Sequence, residues 1–266
     1  MKRSIDRSVL GYWSEKEVRL EAAHLLDQID LVRRENSKLV TSFLSFALRD
    51  WAEVILRREQ LAFLAEGGFP DAERVRIVMG PKGADLSFQD VNLAILKVRP
   101  LDPRAQLEHR QILGSLIGLG CKRDVLGDIR AGQNGQQYLA ASSEIASFLI
   151  NQWKMVGREK IEVLFCQETP DIQPDLGVEK RVTVSSSRLD ALLAHAFGVS
   201  RTLAQEWIVQ GKVRREGLAV NKADIKPQPG ETISCRGYGR IKLLECISTR
   251  KERIAWQLVL YKSQRR

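Results

Sequence analysis

In SSSRLDALLAHAFGVSRTLAQEWIVQGKV, residues 185–213, Asp190 stands between two arginines, Arg188 and Arg201, each preceded by serine. Two chemistries are open to such a set. Asp190 could be a catalytic carboxylate acting as base or nucleophile, or the arginines could grip the phosphates of an RNA backbone.

The elements that position these residues are legible from their spacing. Leu189, Leu192, Leu193 and Ala196 fall at helical steps and form one apolar stripe. With Ser187 as N-cap, Asp190 completes an S-x-x-D capping pattern, and Arg188 is left pointing outward. A second helix has Ser200 as N-cap, Ala204, Trp207 and Ile208 as its buried stripe, and Gly211 as its stop. Arg201 and Gln205 share one edge of it, with Lys212, Arg214 and Arg215 just beyond. Two helix N-termini with free amides, each bearing an arginine, plus a basic turn make a phosphate cradle. Trp207 is read as core, since it lies on the apolar stripe.

The charge distribution agrees with an anionic ligand. The chain of 266 residues carries net +9, but residues 180–266 carry +11 and residues 1–179 carry −2. Local charge density, rather than the total, attracts phosphates. No apolar run has the length of a signal peptide core or a membrane span, so a soluble, cytoplasmic protein without membrane insertion is expected. Cys121, Cys166, Cys235 and Cys246 lack metal-ligand spacing to one another or to the histidines, which predicts free thiols and no metal or other cofactor.

Along the chain, the patterns predict an α+β protein. Val18, Ala22, Leu25, Leu26 and Ile29 define one helix, and LVTSFLSFALRDWAEVILRREQLAFLAE reads as a second helical run closed by GGFP, giving a helical N-terminal subdomain over 1–70. From 71 to 168 the order β-β-α-β-β-α-β, beginning with RVRIVMG, predicts an α/β plait of ferredoxin-like type. Its first helix is expected from Pro103, its second after Ser142 or Ser143, and Asn134-Gly135 predicts a hairpin turn. Residues 169–180 read as a linker. The region 181–266 holds the two arginine-bearing helices and a β region ending in two apolar strands, RIKLLECIS and RIAWQLVLYK.

The stretch SRLDALLAHAFGVSRTLAQEWIVQGKVRREGLAVNKADIKPQPGETI resembles an S4 domain, a small αα/β RNA-binding module. The matching residues are Arg188-Leu189-Asp190, Ser200-Arg201, Ala204, Gly211-Lys212-Val213 and Pro229-Gly230-Glu231-Thr232-Ile233. Val213-Arg214-Arg215-Glu216-Gly217 stands where the family has V-x-V-N-G, with arginine in place of the second valine and glutamate in place of the asparagine. HRQILGSLIGLGCKRDVLGDI and RGYGRIKLLE extend the likeness to nearly the whole chain, which is similar to the YlmH family, a group that includes cyanobacterial S4 proteins labelled with photosystem II. The resemblance implies a non-enzymatic RNA-binding protein with an RRM-like middle domain. It also implies partners among rRNA and tRNA, association with the large ribosomal subunit and a place in ribosome-associated quality control.

Enzymatic readings fare worse. Pseudouridine synthases pair an S4 domain with an R-L-D aspartate, but their S4 module precedes a large catalytic domain, and 33 residues follow Ile233 here. GLGCKR is a partial dinucleotide fingerprint that ends a helix instead of joining a strand to one. His109-Arg110 has no accompanying nucleophile, so it is read as an RNA contact or as packing. The plait also lacks an aromatic-rich RNP1 strand, so charge and shape would carry any contact it makes. The RNA-binding candidates are Arg188, Ser200, Arg201, Gln205, Lys212, Arg214, Arg215, Arg236, Arg240, His109 and Arg110. No DNA specificity is expected, and the N-terminal region is a candidate surface for a protein partner.

Overall fold

A computed structural model describes residues 4–13, 15–70, 72–132, 135–168, 170–172, 177–248 and 253–262. The chain divides into two compact units, Met1–Gln173 and Pro174–Arg266.

In the first unit, α1 (Lys16–Glu35) buries Ala22, Leu25, Leu26 and Ile29 of the expected stripe and extends it to Val32, while Val18 is half-buried. The second expected helical run is broken. Its residues form β1 (Leu39–Val40), β2 (Leu44–Ser45), α2 (Phe46–Arg58) and β3 (Ala62–Glu66). All three strands pair with β4 (Arg74–Gly80), the RVRIVMG segment that the sequence suggested would open the plait. The N-terminal region is therefore mixed α and β, and β4 belongs to it. Short apolar runs do not distinguish buried strand from buried helix by period, and pairing with β4 decides the matter.

The second sheet contains β5 (Leu93–Pro100), β6 (Leu126–Ala131), β7 (Gln137–Ser142), β8 (Met155–Val156) and β9 (Glu159–Phe165), in the order β6-β7-β5-β9-β8. Every neighbouring pair is antiparallel. Helix α3 (His109–Gly118) starts later than expected: Glu108 is its N-cap in a capping box with Gln111, and Pro103 lies in the preceding turn. Helix α4 (Ser143–Gln152) follows β7 directly. Both helices cover one sheet face, where Leu96, Val98, Ile112, Leu116, Leu139, Leu149 and Trp153 form the core. β6 and β7 pair as a hairpin, although Gln133 and Asn134 of the expected turn lie outside the described residues.

The opposite face of that sheet is also buried. Tyr138 and Ala140 pack there against Phe43 and Phe69 from the N-terminal region. Two arginines of β4 fasten the contact. Arg74 donates from Nε to Leu126 O at 3.0 Å and from Nη2 to Phe43 O at 2.7 Å, and burial pushes its pKa down to about 10. Arg76, 4% exposed, donates to Thr41 O at 2.8 Å and to Asn92 O.

The second unit is a six-stranded antiparallel sheet with two helices on one face. Its strands are β10 (Val178–Val184), β11 (Val213–Arg215), β12 (Leu218–Ala219), β13 (Thr232–Cys235), β14 (Gly239–Ser248) and β15 (Ile254–Lys262), ordered β10-β15-β14-β13-β11-β12. β10 begins inside the expected linker. Helices α5 (Leu189–Phe197) and α6 (Arg201–Val209) bury Leu189, Leu192, Leu193, Ala204, Trp207 and Ile208 against Ile233, Ile241, Leu243, Trp256 and Leu258. Trp207 is 1% exposed and stacks on Tyr238, its core assignment intact.

Glu216 replaces the asparagine of V-x-V-N-G without disturbing this sheet. Glu216 and Gly217 have φ of 51° and 81°, the two successive left-handed residues that a type I′ hairpin requires. β11 pairs in register on both sides, Arg214 with Ala219 and Arg214 with Ser234. The Glu216 side chain accepts from Thr232 N, which offsets part of the cost of a left-handed non-glycine.

Candidate nucleic-acid interface

Helix α5 begins one residue later than its capping pattern suggests. Arg188 is the N-cap, and no side chain caps the helix. The first amides are satisfied otherwise: Leu189 N donates to Ile225 O at 2.9 Å, Asp190 N to Ala223 O at 3.3 Å, and Ala191 N to Asp190 Oδ1 at 2.8 Å. The expected cradle of free amides is therefore absent at α5, because the 223–225 loop has taken them. Ser200 does cap α6, accepting from Leu203 N at 3.1 Å.

Asp190 is 0% exposed. It is neither a capping residue for Ser187 nor open to a substrate. Arg188 reaches it from Nε at 3.1 Å and Nη2 at 3.2 Å, and Arg201 from Nε at 3.0 Å and Nη2 at 3.2 Å. Gln205 Nε2, one turn along α6 from Arg201, adds a bond of 2.7 Å. The two arginines expected to point freely outward are thus turned onto one carboxylate. Their side chains nevertheless stay 37% and 49% exposed, and Nη1 of each carries no hydrogen bond among the described residues.

The electrostatics follow from this geometry. Burial works against ionising Asp190, but the hydrogen bonds from Arg188, Gln205 and Arg201 and the Arg201 charge outweigh it, holding the carboxyl well below the usual carboxylate range. Asp190 therefore stays ionised and the trio has net charge +1. Buried ion clusters are weak evidence for stability, because desolvation offsets much of the attraction. Their better-supported use is geometric: each guanidinium is locked in a planar two-point contact, with its outer edge fixed for an anion.

The remaining candidates divide into distinct groups. Lys212 and Arg236 are adjacent, joined by Arg236 N donating to Lys212 O at 2.8 Å. Arg214 is exposed and donates to Gly217 O at 2.9 Å, whereas Arg215 is half-buried and paired in two-point fashion with Glu231. In that pairing the Glu231 carboxylate balances the Arg215 charge. Arg240 lies 4.5 Å above the Tyr261 ring.

His109 and Arg110 lie in the first unit. Loss of hydration around the ring, then the Arg123 charge, lowers the His109 pKa and favours the neutral imidazole. Arg110 is exposed on α3.

Sequence reasoning identified the arginines and Gln205 but missed Asp190 as the residue that gathers them. A signal was present: apolar residues occupy nearly every side of 189–196, and a helix apolar all round is buried. A carboxylate within it needs cationic partners.

Three family models match successive parts of the chain: "YlmH, N-terminal" over residues 17–84, "Putative RNA-binding domain in YlmH" over 87–169, and "S4 domain" over 187–233. A curated relative, "Ribosome-associated protein quality control protein P2" of Bacillus subtilis (strain 168), is 28% identical over 229 residues, spanning 86% of this chain and 88% of that protein. Among solved structures, "Cell division protein ylmH from Streptococcus pneumoniae" is similar in fold, with a TM-score of 0.50 at 20% identity, covering 58% of this chain and 93% of that one.

Proposed function

We propose that this chain, which belongs to the YlmH family of S4-domain RNA-binding proteins, is a non-enzymatic protein that binds structured RNA on the ribosome. The observation that carries this reading is the Arg188–Asp190–Arg201 trio. One buried carboxylate holds two half-exposed guanidinium groups side by side, with net positive charge and outward-facing N–H donors. Such a seat suits the phosphates of a folded RNA backbone, where position rather than base identity is recognised.

The rest of the chain supports the same reading. The name of the Bacillus subtilis relative points to ribosome-associated quality control, and rRNA or tRNA on the large subunit is the target we favour. In the middle region the order β5-α3-β6-β7-α4-β9, with β5 and β7 central, supports an α/β plait of RRM type. Its helix-free face is occupied by Phe43 and Phe69, so its RNA contacts run through charge at Arg110 and Lys122-Arg123 rather than through stacked bases.

An RNA-modifying activity of the pseudouridine synthase type would need Asp190 open to a base. Full burial and six hydrogen bonds to it argue against that role.

The test is binding of the full-length protein to purified large-subunit rRNA across a salt series. Arg188→Ala with Arg201→Ala should weaken binding and flatten the plot of log K against log salt by about 0.7 to 0.9 for each phosphate that is no longer neutralised. A folded double variant that binds as the wild type does would remove the seat from the proposal.

A further inference from the structure

The S4 match ends at residue 233, yet the second unit continues its sheet through β14 and β15 and adds β10 at the edge. Ile241, Leu243, Trp256 and Leu258 of these strands face the core beneath α5 and α6. Alternate residues must then face the other side of the sheet. There the register runs straight across four strands, Arg214 beside Ser234, Ser234 beside Arg240 and Arg240 beside Tyr261. Lys242 lies two residues along β14 from Arg240, and Arg181 of β10 pairs with Gln257 of β15. Arg181, Arg214 and Lys242 are exposed. Among the described residues, the strands of this face carry Arg181, Arg214, Arg240 and Lys242 against the carboxylates of Glu179 and Glu245.

At its centre is a built platform. The Tyr261 ring lies over Gly177, where a Cβ would come within 2.8 Å of Cε1, so only glycine lets the ring settle there. The Arg240 guanidinium is held 4.5 Å from the ring centroid. From strand geometry, Arg214 and Arg240 are about 10 Å apart at their Cα atoms and Arg240 and Lys242 about 7 Å.

We infer that this face is a second RNA-binding surface, which takes a single-stranded segment. Arg240, fixed against Tyr261, presents a plane on which a base stacks, and Arg181, Arg214 and Lys242 take neighbouring phosphates. The inference rests on the RNA-binding reading above and extends it, since this surface lies on the side of the sheet away from the helices that carry Arg188 and Arg201. The second unit then holds two RNA segments at once, one on each side.

The experiment uses the full-length protein and two probes, a labelled 12-nucleotide oligouridine and large-subunit rRNA. R181Q/R240Q/K242Q should weaken oligouridine binding at least tenfold and flatten its salt dependence by about 1.4 units, the release expected for the two phosphates taken by Arg181 and Lys242 on a single strand. R188A/R201A should leave oligouridine binding within about twofold and reduce rRNA binding. K242E, a single exposed change, should also weaken oligouridine binding and keeps the test available should the triple variant misfold. Unchanged oligouridine affinity and slope in the folded triple variant and in K242E overturn the inference. So does a triple variant that keeps oligouridine binding but no longer sediments with ribosomes, which would make the face a protein-docking surface. Unchanged rRNA binding by R188A/R201A counts against the helix-side seat alone, since the oligouridine arm is read separately.

Discussion

Asp190 is wholly buried and Arg201, on the following helix, is about half exposed, yet two N–H···O bonds of 3.0 and 3.2 Å join them. The pair converts a flexible surface arginine into a fixed donor. Arg188 makes the same two-point contact with both carboxylate oxygens, so the carboxylate sets the geometry of both cations.

Asp190→Asn separates geometry from charge. The variant gains one unit of positive charge, and simple attraction to polyanions would tighten its RNA binding. We expect weaker binding, because two arginines without their common acceptor lose their shared orientation. Stability should fall by about 2 to 3 kcal/mol, below the loss for a fully buried pair since both arginines reach solvent. Urea unfolding and rRNA affinity measured on one preparation check both outcomes.

The depressed Asp190 carboxyl also predicts an acid limb. Its pKa is lower folded than unfolded, so its stabilisation is complete above the unfolded value of about 3.9 and is lost as pH falls through that range toward the native value. The difference in unfolding free energy between wild type and Asp190→Asn should be constant from pH 7 to pH 5 and smaller at pH 3. A difference that grows on acidification would contradict the assigned direction.

The β11–β12 turn predicts unequal responses at neighbouring positions. Gly217 has φ of 81°, so Gly217→Ala should cost about 1 kcal/mol or more. Glu216→Asn places a residue better suited to φ of 51° but removes the bond to Thr232 N, and the net change should stay within about 0.5 kcal/mol. Thermal unfolding of the two variants resolves the contrast.

Arg76 should behave as a structural pin of the first unit. Arg76→Met preserves apolar volume but leaves Thr41 O and Asn92 O without this donor. A loss of about 2 to 3 kcal/mol is expected, from the penalty for unsatisfied buried acceptors. RNA binding through the second unit should be unaffected, which unfolding curves and rRNA affinity together would show.

Much of this protein is written in local pattern. The stripes of α1, α5 and α6, the Ser200 cap, the β5, β7, β9, β14 and β15 strands and the S4 likeness depend on residues close in sequence, where period and capping chemistry act directly. The N-terminal strands β1, β2 and β3 were hidden because they are short and pair with β4, and nothing in a run such as LVTSFLSF reports a partner about thirty to forty residues away.

The site shows the same division. Its composition, two arginines, a glutamine and an aspartate on two adjacent helices, could be read from the sequence. Their arrangement could not, because the capping pattern offered Asp190 a local role that the 223–225 loop displaced by supplying carbonyls to the first amides of α5. Free of that role and enclosed by apolar neighbours, the carboxylate needed cations from outside its own helical turn. Only the packing of α6 against α5 brought Arg201 and Gln205 to it.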